Sequence, residues 1–484
     1  MEITVLQIQQ WLNKTYRGKS GYNLIREDNT FGDETIGALI RALQIELGIT
    51  TPNGVFGPAT TAAFGELSIN STRTNQVYIL QGALFCKGYD IKWFDGNFGE
   101  NTKSAIMNFQ LDIGFSQSGS VNSLLMKQLL NRNSFKLSTG GDPNIRKVQQ
   151  NLNHDYSSNK HFMEDIGILI TDGLYGELTY KALVYALQIE EGVNVDGQFG
   201  LTTQSYCPKL IEGSSKTRFI YLLQYALYCY GFNTNGFDGQ FGSGTKTAVI
   251  EFQKFICLIS NGVVGAQTWA SLFVSTGDKS RKGTICDCSN TITIKTAQTI
   301  KENGYKVVGR YLTGNFKMTS DELNIIFDSG LRVIPIYETG GYKIDYFNEG
   351  QGISDAKVAI EAAQSLGLKP GIIYFAVDFD VSENEINKIR RYFAEINNIF
   401  TTNETNYKIG IYAPRKVCSI IASEKLSCSS FVCDMSSAFK GNKGHPLPSD
   451  WAIDQISTIT IGSGEGNIEI DNNISSGRDL GISR

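Results

Sequence analysis

One stretch of seventeen residues occurs twice in this chain. It reads FDGNFGENTKSAIMNFQ from Phe94 to Gln110 and FDGQFGSGTKTAVIEFQ from Phe237 to Gln253, and ten of the seventeen positions are identical. The match continues upstream of both copies, where ILQGALFCKGY faces LLQYALYCYGF at the same offset of 143 residues. A duplication of this kind indicates that the chain folds as repeated units.

A weaker form of the pattern precedes each copy. DNTFGDETIGALIRALQ begins at Asp28 and DGLYGELTYKALVYALQ begins at Asp172, and a Gln-Gln segment lies upstream of each. The chain therefore carries four modules arranged as a duplicated pair. We place these modules at residues 1–71, 72–138, 139–213 and 214–275.

Each module combines tight turns with amphipathic helices. An Asp-Gly or Asn-Gly dipeptide supplies a residue that tolerates positive φ in a tight turn. Pro58 stands where a helix should begin, the position at which the missing N–H of proline costs least. After the turn of the second module, Ala105, Ile106 and Phe109 lie on one helical face. Each module is therefore predicted to be a three-helix bundle in which the Asp, Gly, Phe and Thr of the motif serve the fold.

These strings resemble the peptidoglycan-binding module that accompanies many cell-wall hydrolases. The shared pattern is Leu-Gln, then Asp-Gly-x-Phe-Gly-x-x-Thr, then Phe-Gln and a second turn with Thr-Trp, and it covers residues 4 to about 275. The resemblance implies bacterial cell-wall peptidoglycan as the partner. Four weak sites in one chain would bind a repeating polymer by avidity. A tandem scaffold that binds other proteins would have a similar sequence.

The last two hundred residues have a different pattern. After a polar linker at 276–283, eight short apolar runs alternate with amphipathic helical segments over 284–484. Eight strands with intervening helices predict a parallel (β/α)₈ barrel of the TIM type, with a helix missing near its end. The fold class of the whole chain is thus four all-α modules followed by an α/β barrel.

Polar residues cluster where these predicted strands end. In a barrel of this type the carboxyl ends of the strands meet at one mouth, where catalytic groups lie. Alternation places Glu338 on the same face as Ile336, and Asp378 and Asp380 on the same face as Ala376, so all three acids should point inward. The strand-end residues are Asp287, Glu338, Asp378, Asp380, Asp434, Gln455 and Asp471.

An acidic mouth of this kind suits either a divalent cation or a glycosidase. A glycosidase needs one protonated and one ionised carboxyl group, and aromatic surfaces for sugar rings are expected from Tyr311, Tyr337 and Tyr412. We expect the glycosidase, with no metal and no cofactor. Burial and neighbouring negative charge should raise the pKa of Glu338 and make it the proton donor.

The strand segments of the last two hundred residues resemble the glycoside-hydrolase-like barrel domain of bacterial wall-associated and phage proteins. That domain is similar to the barrel muramidases of lysins. VVGRYLTG, VIPIYETGG, YFAVDFDV and GNIEIDNN carry this resemblance over about 283–484. From their positions at the strand ends, Asp378 or Asp380 is expected to be the acid that assists Glu338, with Asp287 as a further catalytic candidate. In the muramidases the fourth strand ends Asp-x-Glu, which would make Asp380 the donor. Substrate contacts are expected from Asp434, Gln455 and Asp471.

Composition excludes several other classes. The net charge is −4 and no Lys/Arg run is long enough to follow a phosphate backbone, so no nucleic-acid partner is expected. No apolar run has the length of a membrane span, and the start has no leader of secretion type. We therefore expect synthesis in the cytoplasm and action at the wall or outside the cell after lysis or non-standard release, as in an antibacterial endolysin or an autolysin.

Two functions follow from these patterns. The first is a modular peptidoglycan hydrolase, in which wall-binding modules direct a muramidase-like barrel to the glycan. The second is a non-catalytic protein that binds cell wall or polysaccharide through a barrel that has lost turnover, and Asp in place of the muramidase Glu favours it.

Overall fold

A computed structural model describes residues 3–484 and divides the chain into two compact units, Met1–Leu174 and Tyr175–Arg484. The division falls within the predicted third module, and the module boundaries themselves stay predictions from the repeat.

The first unit is helical, as the sequence predicted. One cluster of buried apolar side chains extends from Ile8 to Phe135 and includes Ile168. Leu67 and Val121 form an isolated antiparallel bridge between the first two predicted modules. The helices of those modules therefore share a core instead of closing two separate bundles. The helices of this unit are α1 (Val5–Tyr16), α2 (Asp33–Glu46), α3 (Pro58–Ala63), α4 (Thr74–Cys86), α5 (Glu100–Ile113), α6 (Ser123–Leu129), α7 (Pro143–Tyr156) and α8 (Lys160–Asp165).

A buried glutamine explains the repeated motif. The Gln81 amide on α4 donates to the Asp95 carboxylate (2.9 Å) and to the Thr102 hydroxyl (3.1 Å), and its oxygen accepts from Gly96 N–H (2.9 Å). Gly96 has φ +70, and a Cβ on it would lie 2.4 Å from the Tyr78 ring. The motif residues therefore fasten the turn to the helix, so the prediction that they serve the fold is confirmed.

The second unit begins with helices that repeat the first. Gln224 holds Asp238, Gly239 and Thr245 in the same way, and the Leu210–Val264 bridge repeats Leu67–Val121. These helices are α9 (Glu177–Glu191), α10 (Leu201–Tyr206), α11 (Thr217–Cys229), α12 (Ser243–Phe255) and α13 (Ala266–Phe273).

The rest of this unit is a closed eight-stranded barrel with strand order β1 to β8. Strands β1 to β7 are parallel, and an α-helix follows each of the first five. The strands are β1 (Ile285–Asp287), β2 (Val307–Tyr311), β3 (Arg332–Tyr337), β4 (Ile372–Ala376), β5 (Lys408–Ala413), β6 (Ser430–Val432), β7 (Trp451–Ile461) and β8 (Ile468–Ser475). The helices are α14 (Ile294–Glu302), α15 (Ser320–Asp328), α16 (Gln351–Ser365), α17 (Ile386–Thr402) and α18 (Arg415–Ser423).

The last strand corrects the prediction of an all-parallel barrel. β8 is antiparallel to both β7 and β1. Only six residues, 462–467, join β7 to β8, too few for the crossover helix that a parallel pair requires. The hairpin still brings Asp471 to the mouth, because Asp471 pairs with Asp287 at the end of β1.

The barrel interior follows the alternation of the strands. Ile334 and Ile336 of β3 and Tyr374 and Ala376 of β4 lie together in the buried interior cluster. The next inward positions on these strands are Glu338 and Asp378, so the inward parity expected from the sequence holds for both acids.

Candidate active site at the barrel mouth

Four carboxyl groups meet at the mouth and are called here the acid cluster: Glu338, Asp378, Asp287 and Asp471. Glu338 follows β3, Asp378 lies two residues beyond β4, and Asp287 ends β1. The Tyr311 hydroxyl at the end of β2 lies among them, since burial first and then the charges of all four acids raise the pKa of Tyr311.

Glu338 has the environment of a proton donor. Burial, and then the negative charge of Asp378, raise the pKa of its carboxyl group to about 7. Within residues 3–484 no protein group hydrogen-bonds to this carboxyl group. A protonated carboxyl without a protein acceptor can donate to a ligand.

Asp378 is the second acid without a side-chain partner in the described chain. Its backbone N–H donates to the Gly341 carbonyl (2.8 Å), which fixes the start of the loop after β4 against the loop after β3. Burial, and then the charge of Asp471, raise the pKa of the Asp378 carboxyl group. Glu338 and Asp378 thus face the same space from neighbouring strands.

Asp287 is buried and firmly held. The Asn473 amide donates to it at 2.8 Å, and the Gln455 amide donates to both of its oxygens at 3.1 and 3.3 Å. Burial, and then the charge of Asp471, raise the pKa of Asp287 to about 7 against the opposing effect of the two amides.

Gln455 and Tyr412 orient the acid cluster. The Gln455 amide also donates to Asp471 (3.2 Å), and its oxygen accepts from the Tyr412 hydroxyl (3.0 Å). Thr458 donates to the other oxygen of Asp471 at 2.6 Å. Gln455 and Tyr412, both predicted to contact substrate, are buried, and Gln455 holds Asp287 and Asp471 by hydrogen bonds.

The structure places Tyr337, a predicted substrate contact, away from the mouth. Glu338 and Ile336 point inward, so the residue between them points outward. The Tyr337 hydroxyl donates to Asp355 of α16 (3.0 Å) and its ring packs on Phe375, behind the barrel wall.

Asp434, another predicted substrate contact, lies in a buried ion pair. It is fully buried and accepts from the Arg415 guanidinium at 2.7 and 2.6 Å. The same guanidinium donates to the Ser275 carbonyl (2.5 Å). This ion pair ties the loop after β6 to the segment before the barrel.

Asp380 does not join the acid cluster. Its two oxygens accept from the backbone N–H groups of Lys440 (3.0 Å) and Gly441 (2.9 Å). Both oxygens are used to hold the loop between β6 and β7, so the expectation that Asp380 faces the mouth as an acid is corrected.

Sequence reasoning missed several residues of the mouth. Asn473 and Thr458 hold Asp287 and Asp471, and their position in the β7–β8 hairpin could be recognised only once that hairpin was known. Phe316 and Tyr342 are exposed aromatic residues in the loops after β2 and β3. Each could have been recognised in the sequence as an aromatic residue five positions after the end of a strand.

The described residues contain no group of three or more His, Cys, Asp or Glu side chains arranged to hold a metal ion. Over the same part of the chain, no helix is both long and apolar enough to cross a membrane.

Comparison with known proteins relates both parts of the chain to families. The FadG/YbfG, PGDB-like domain family matches residues 2–130 and 138–273, and the Rv2525c-like, glycoside hydrolase-like domain family matches residues 298–475. Two Bacillus subtilis (strain 168) proteins are each 47% identical to this chain. "Uncharacterized protein YbfG" aligns over 99% of this chain and 68% of its own length, and "Uncharacterized protein FadG" over 100% and 86%.

The chain belongs to the FadG/YbfG family. It combines helical PGDB-like, that is peptidoglycan-binding-like, modules with a glycoside-hydrolase-like barrel, as the sequence predicted. The barrel match includes Glu338, Asp378 and Asp471 but begins after Asp287. Among solved structures, the Mycobacterium tuberculosis Tat-secreted protein Rv2525c in complex with HEPES aligns at 18% identity, over 41% of this chain and 98% of its own, with a TM-score of 0.35.

Proposed function

We propose that this FadG/YbfG-family protein is a peptidoglycan hydrolase that cleaves the glycan strand, with its helical modules binding the wall. The observation that carries the proposal is the pair Glu338 and Asp378. One carboxyl group with a pKa of about 7 lies beside a second, and neither has a hydrogen-bond partner on its side chain among the described residues. The peptidoglycan-binding-like modules supply the choice of polymer.

Cleavage of a glycosidic bond requires two functions at the mouth. The leaving oxygen of a glycosidic bond needs a proton, and the sugar carbon that loses it develops positive charge. Glu338, protonated near neutral pH, would donate the proton. Asp378, once ionised, would stabilise the charge or orient the acetamido group of the substrate as the nucleophile.

Asp287 and Asp471 have a supporting role in this proposal. Gln455 fixes both carboxyl groups through one amide, which sets their distance from Tyr311 and from the two reacting acids. In their ionised form they favour the developing positive charge on the sugar. Because Asp287 is buried and hydrogen-bonded from two sides, we assign it to positioning and electrostatics and not to proton transfer.

Isolated wall sacculi provide the test. The purified chain should release new reducing ends, and Glu338→Gln should lower that rate by about 10² to 10⁴, the usual loss when a general acid is removed. Glu349→Gln is the matched control, because Glu349 is exposed in the loop that follows Glu338. Its rate should equal that of the parent.

Two other results would change the assignment. If Asp380→Asn abolished the activity while Glu338→Gln left it unchanged, the donor would be Asp380, as alignment with the muramidases suggests. If the parent bound sacculi and released no reducing ends, the protein would be a non-catalytic wall-binding protein with an inactive barrel.

A further inference from the structure

Two large aromatic side chains are exposed at the mouth although the chain buries most of its aromatic rings. Phe316 is 55% exposed in the loop between β2 and α15, and Tyr342 is 60% exposed in the loop between β3 and α16. A single exposed aromatic residue needs no explanation. These two, however, lie on the pair of neighbouring loops that flank Glu338.

The Phe316 loop is anchored to β2. The Arg310 guanidinium donates to the Phe316 carbonyl (3.2 Å) and is itself fully buried against Glu322 (2.7 Å). Beyond Phe316, the Met318 N–H donates to the Tyr311 carbonyl (2.8 Å). The Phe316 ring centroid lies 6.1 Å from that of Tyr311, whose hydroxyl lies among the four acids. The ring is therefore presented to solvent from a fixed backbone.

The Tyr342 loop is fixed from the other side. The residue before it, Gly341, accepts from Asp378 N–H, and a Cβ at Gly341 would lie 2.4 Å from the Ala376 carbonyl. Tyr346 closes the loop by donating to Asp355 (2.6 Å). Tyr342 is thus held next to β4 and Asp378, with no room for the loop to move inward.

One cation, Lys343, lies beside Tyr342 at this rim. The Lys343 ammonium group lies 5.7 Å from the centroid of the Tyr342 ring, and both side chains are exposed. An aromatic face beside a cation suits a sugar ring that carries a carboxylate.

We propose that Phe316 and Tyr342 are stacking platforms for two sugar rings of an extended glycan that crosses the mouth over Glu338, with Lys343 binding a carboxylate substituent next to the second ring. The proposal rests on the proposed function, since it supplies the substrate contacts of the same site. It assigns the ligand class as a β-linked amino-sugar polymer with acidic substituents, at least two rings long. Affinity then comes from apolar ring faces at the rim, and the acids below remain free for chemistry.

The test measures binding separately from cleavage, in the full chain carrying Glu338→Gln. Phenylalanine and tyrosine are replaced by their fluorinated forms, and the fluorine signals of the two rings are identified by their loss in Phe316→Leu and Tyr342→Leu. A hexamer of β-1,4-linked N-acetylglucosamine should shift both signals. Each substitution should weaken the titrated affinity at the remaining ring by about tenfold, the usual effect of losing one stacked aromatic ring.

Leu480→Ala is the matched control. Leu480 is 58% exposed, and its carbonyl accepts from Arg332 at the start of β3, which is the end of the barrel opposite the mouth. This variant should bind as the parent does. Lys343→Gln should leave the affinity for the neutral hexamer unchanged and weaken the affinity for peptidoglycan glycan fragments whose stem peptides have been removed by an amidase, which carry free lactyl carboxylates.

Failure of this inference is distinct from failure of the proposed function. If saturating hexamer shifted neither ring signal, or if both leucine variants kept the parent affinity, the platforms would be refuted even where the parent chain cleaves sacculi. Conversely, ring shifts with no reducing ends from the parent would support the platforms and refute the hydrolase.

Discussion

The raised pKa of the buried Glu338 carboxyl group predicts that the rate of hydrolysis depends on pH. Its pKa of about 7 means that the carboxyl group is protonated below neutral pH and loses its proton as the pH rises through 7. If it is the general acid, the rate of release of reducing ends should fall about tenfold per pH unit above 7. Rates measured on sacculi between pH 5 and 9 would show this limb. A rate that continued to rise above pH 8 would contradict the role.

The raised pKa of Asp287 predicts that the free energy of unfolding depends on pH. Its folded pKa of about 7 is well above the value of about 4 for an unfolded aspartate, so the folded state holds the proton more tightly. The free energy of unfolding should therefore fall as the pH rises from about 4 to 7 and should change little above that. Urea unfolding followed by circular dichroism at pH 5.5 and pH 8 measures the difference.

Asp287→Asn should reduce that difference, because the buried group no longer ionises. Asp345→Asn is the control, since Asp345 is exposed in the loop after β3. It should retain the pH dependence of the parent. An equal loss of stability between the two pH values in the parent and in Asp287→Asn would exclude Asp287 as its source.

At the scale of elements, the ion pair between Arg415 and Asp434 joins α18 to the end of β6. Both side chains are buried, and the contacts are 2.7 and 2.6 Å. Removing one partner leaves the other charge buried without compensation, which typically costs about 3 to 5 kcal/mol. Asp434→Asn should lower the free energy of unfolding of the second unit by that order, measured by urea unfolding.

The exposed pair Arg390–Glu424 is the control for this prediction. Its contact is also 2.7 Å, but the side chains are 39% and 36% exposed. Glu424→Gln should therefore cost less than about 1 kcal/mol. Equal costs for Asp434→Asn and Glu424→Gln would show that burial does not determine the energy of the Arg415 pair.

Strand alternation made the barrel and most of its mouth predictable from sequence. Eight apolar runs gave the eight strands, and parity placed Glu338 and Asp378 inward. The same parity already excluded Tyr337, because neighbours on a strand face opposite sides. The sequence alone was therefore enough to place the Tyr337 side chain outside the barrel.

Other features depend on partners that are distant in the sequence. No residue near Asp434 in the sequence indicates that Arg415 is its partner. The two backbone donors to Asp380 come from residues 60 and 61 positions later. The antiparallel direction of β8 follows from the short connection between β7 and β8. The apolar pattern of the strands carries no information about the length of that connection. The positions of Asn473 and Thr458 beside the acids depend on that direction.

For the whole molecule, the repeat predicts that wall binding is shared along the chain. The buried cluster that joins α1 to α6 lies entirely between Ile8 and Ile168, within residues 1–174. We expect a fragment of residues 1–174 to fold alone, with the helical circular dichroism and cooperative unfolding of α1 to α8. Because it retains only part of the repeats, it should bind sacculi about 10² to 10⁴ times more weakly than the full chain.

Sedimentation with sacculi at increasing concentrations of protein measures both affinities. Gln81→Leu in the fragment supplies the control for fold-dependent binding, since it removes the amide that fastens the Asp95 turn to α4. Its loss leaves a buried N–H and a carboxylate without their partner, at a cost of about 1 to 3 kcal/mol, so both unfolding temperature and wall binding should fall together. A folded fragment that bound as tightly as the full chain would show that one set of modules suffices and that the duplication adds no avidity.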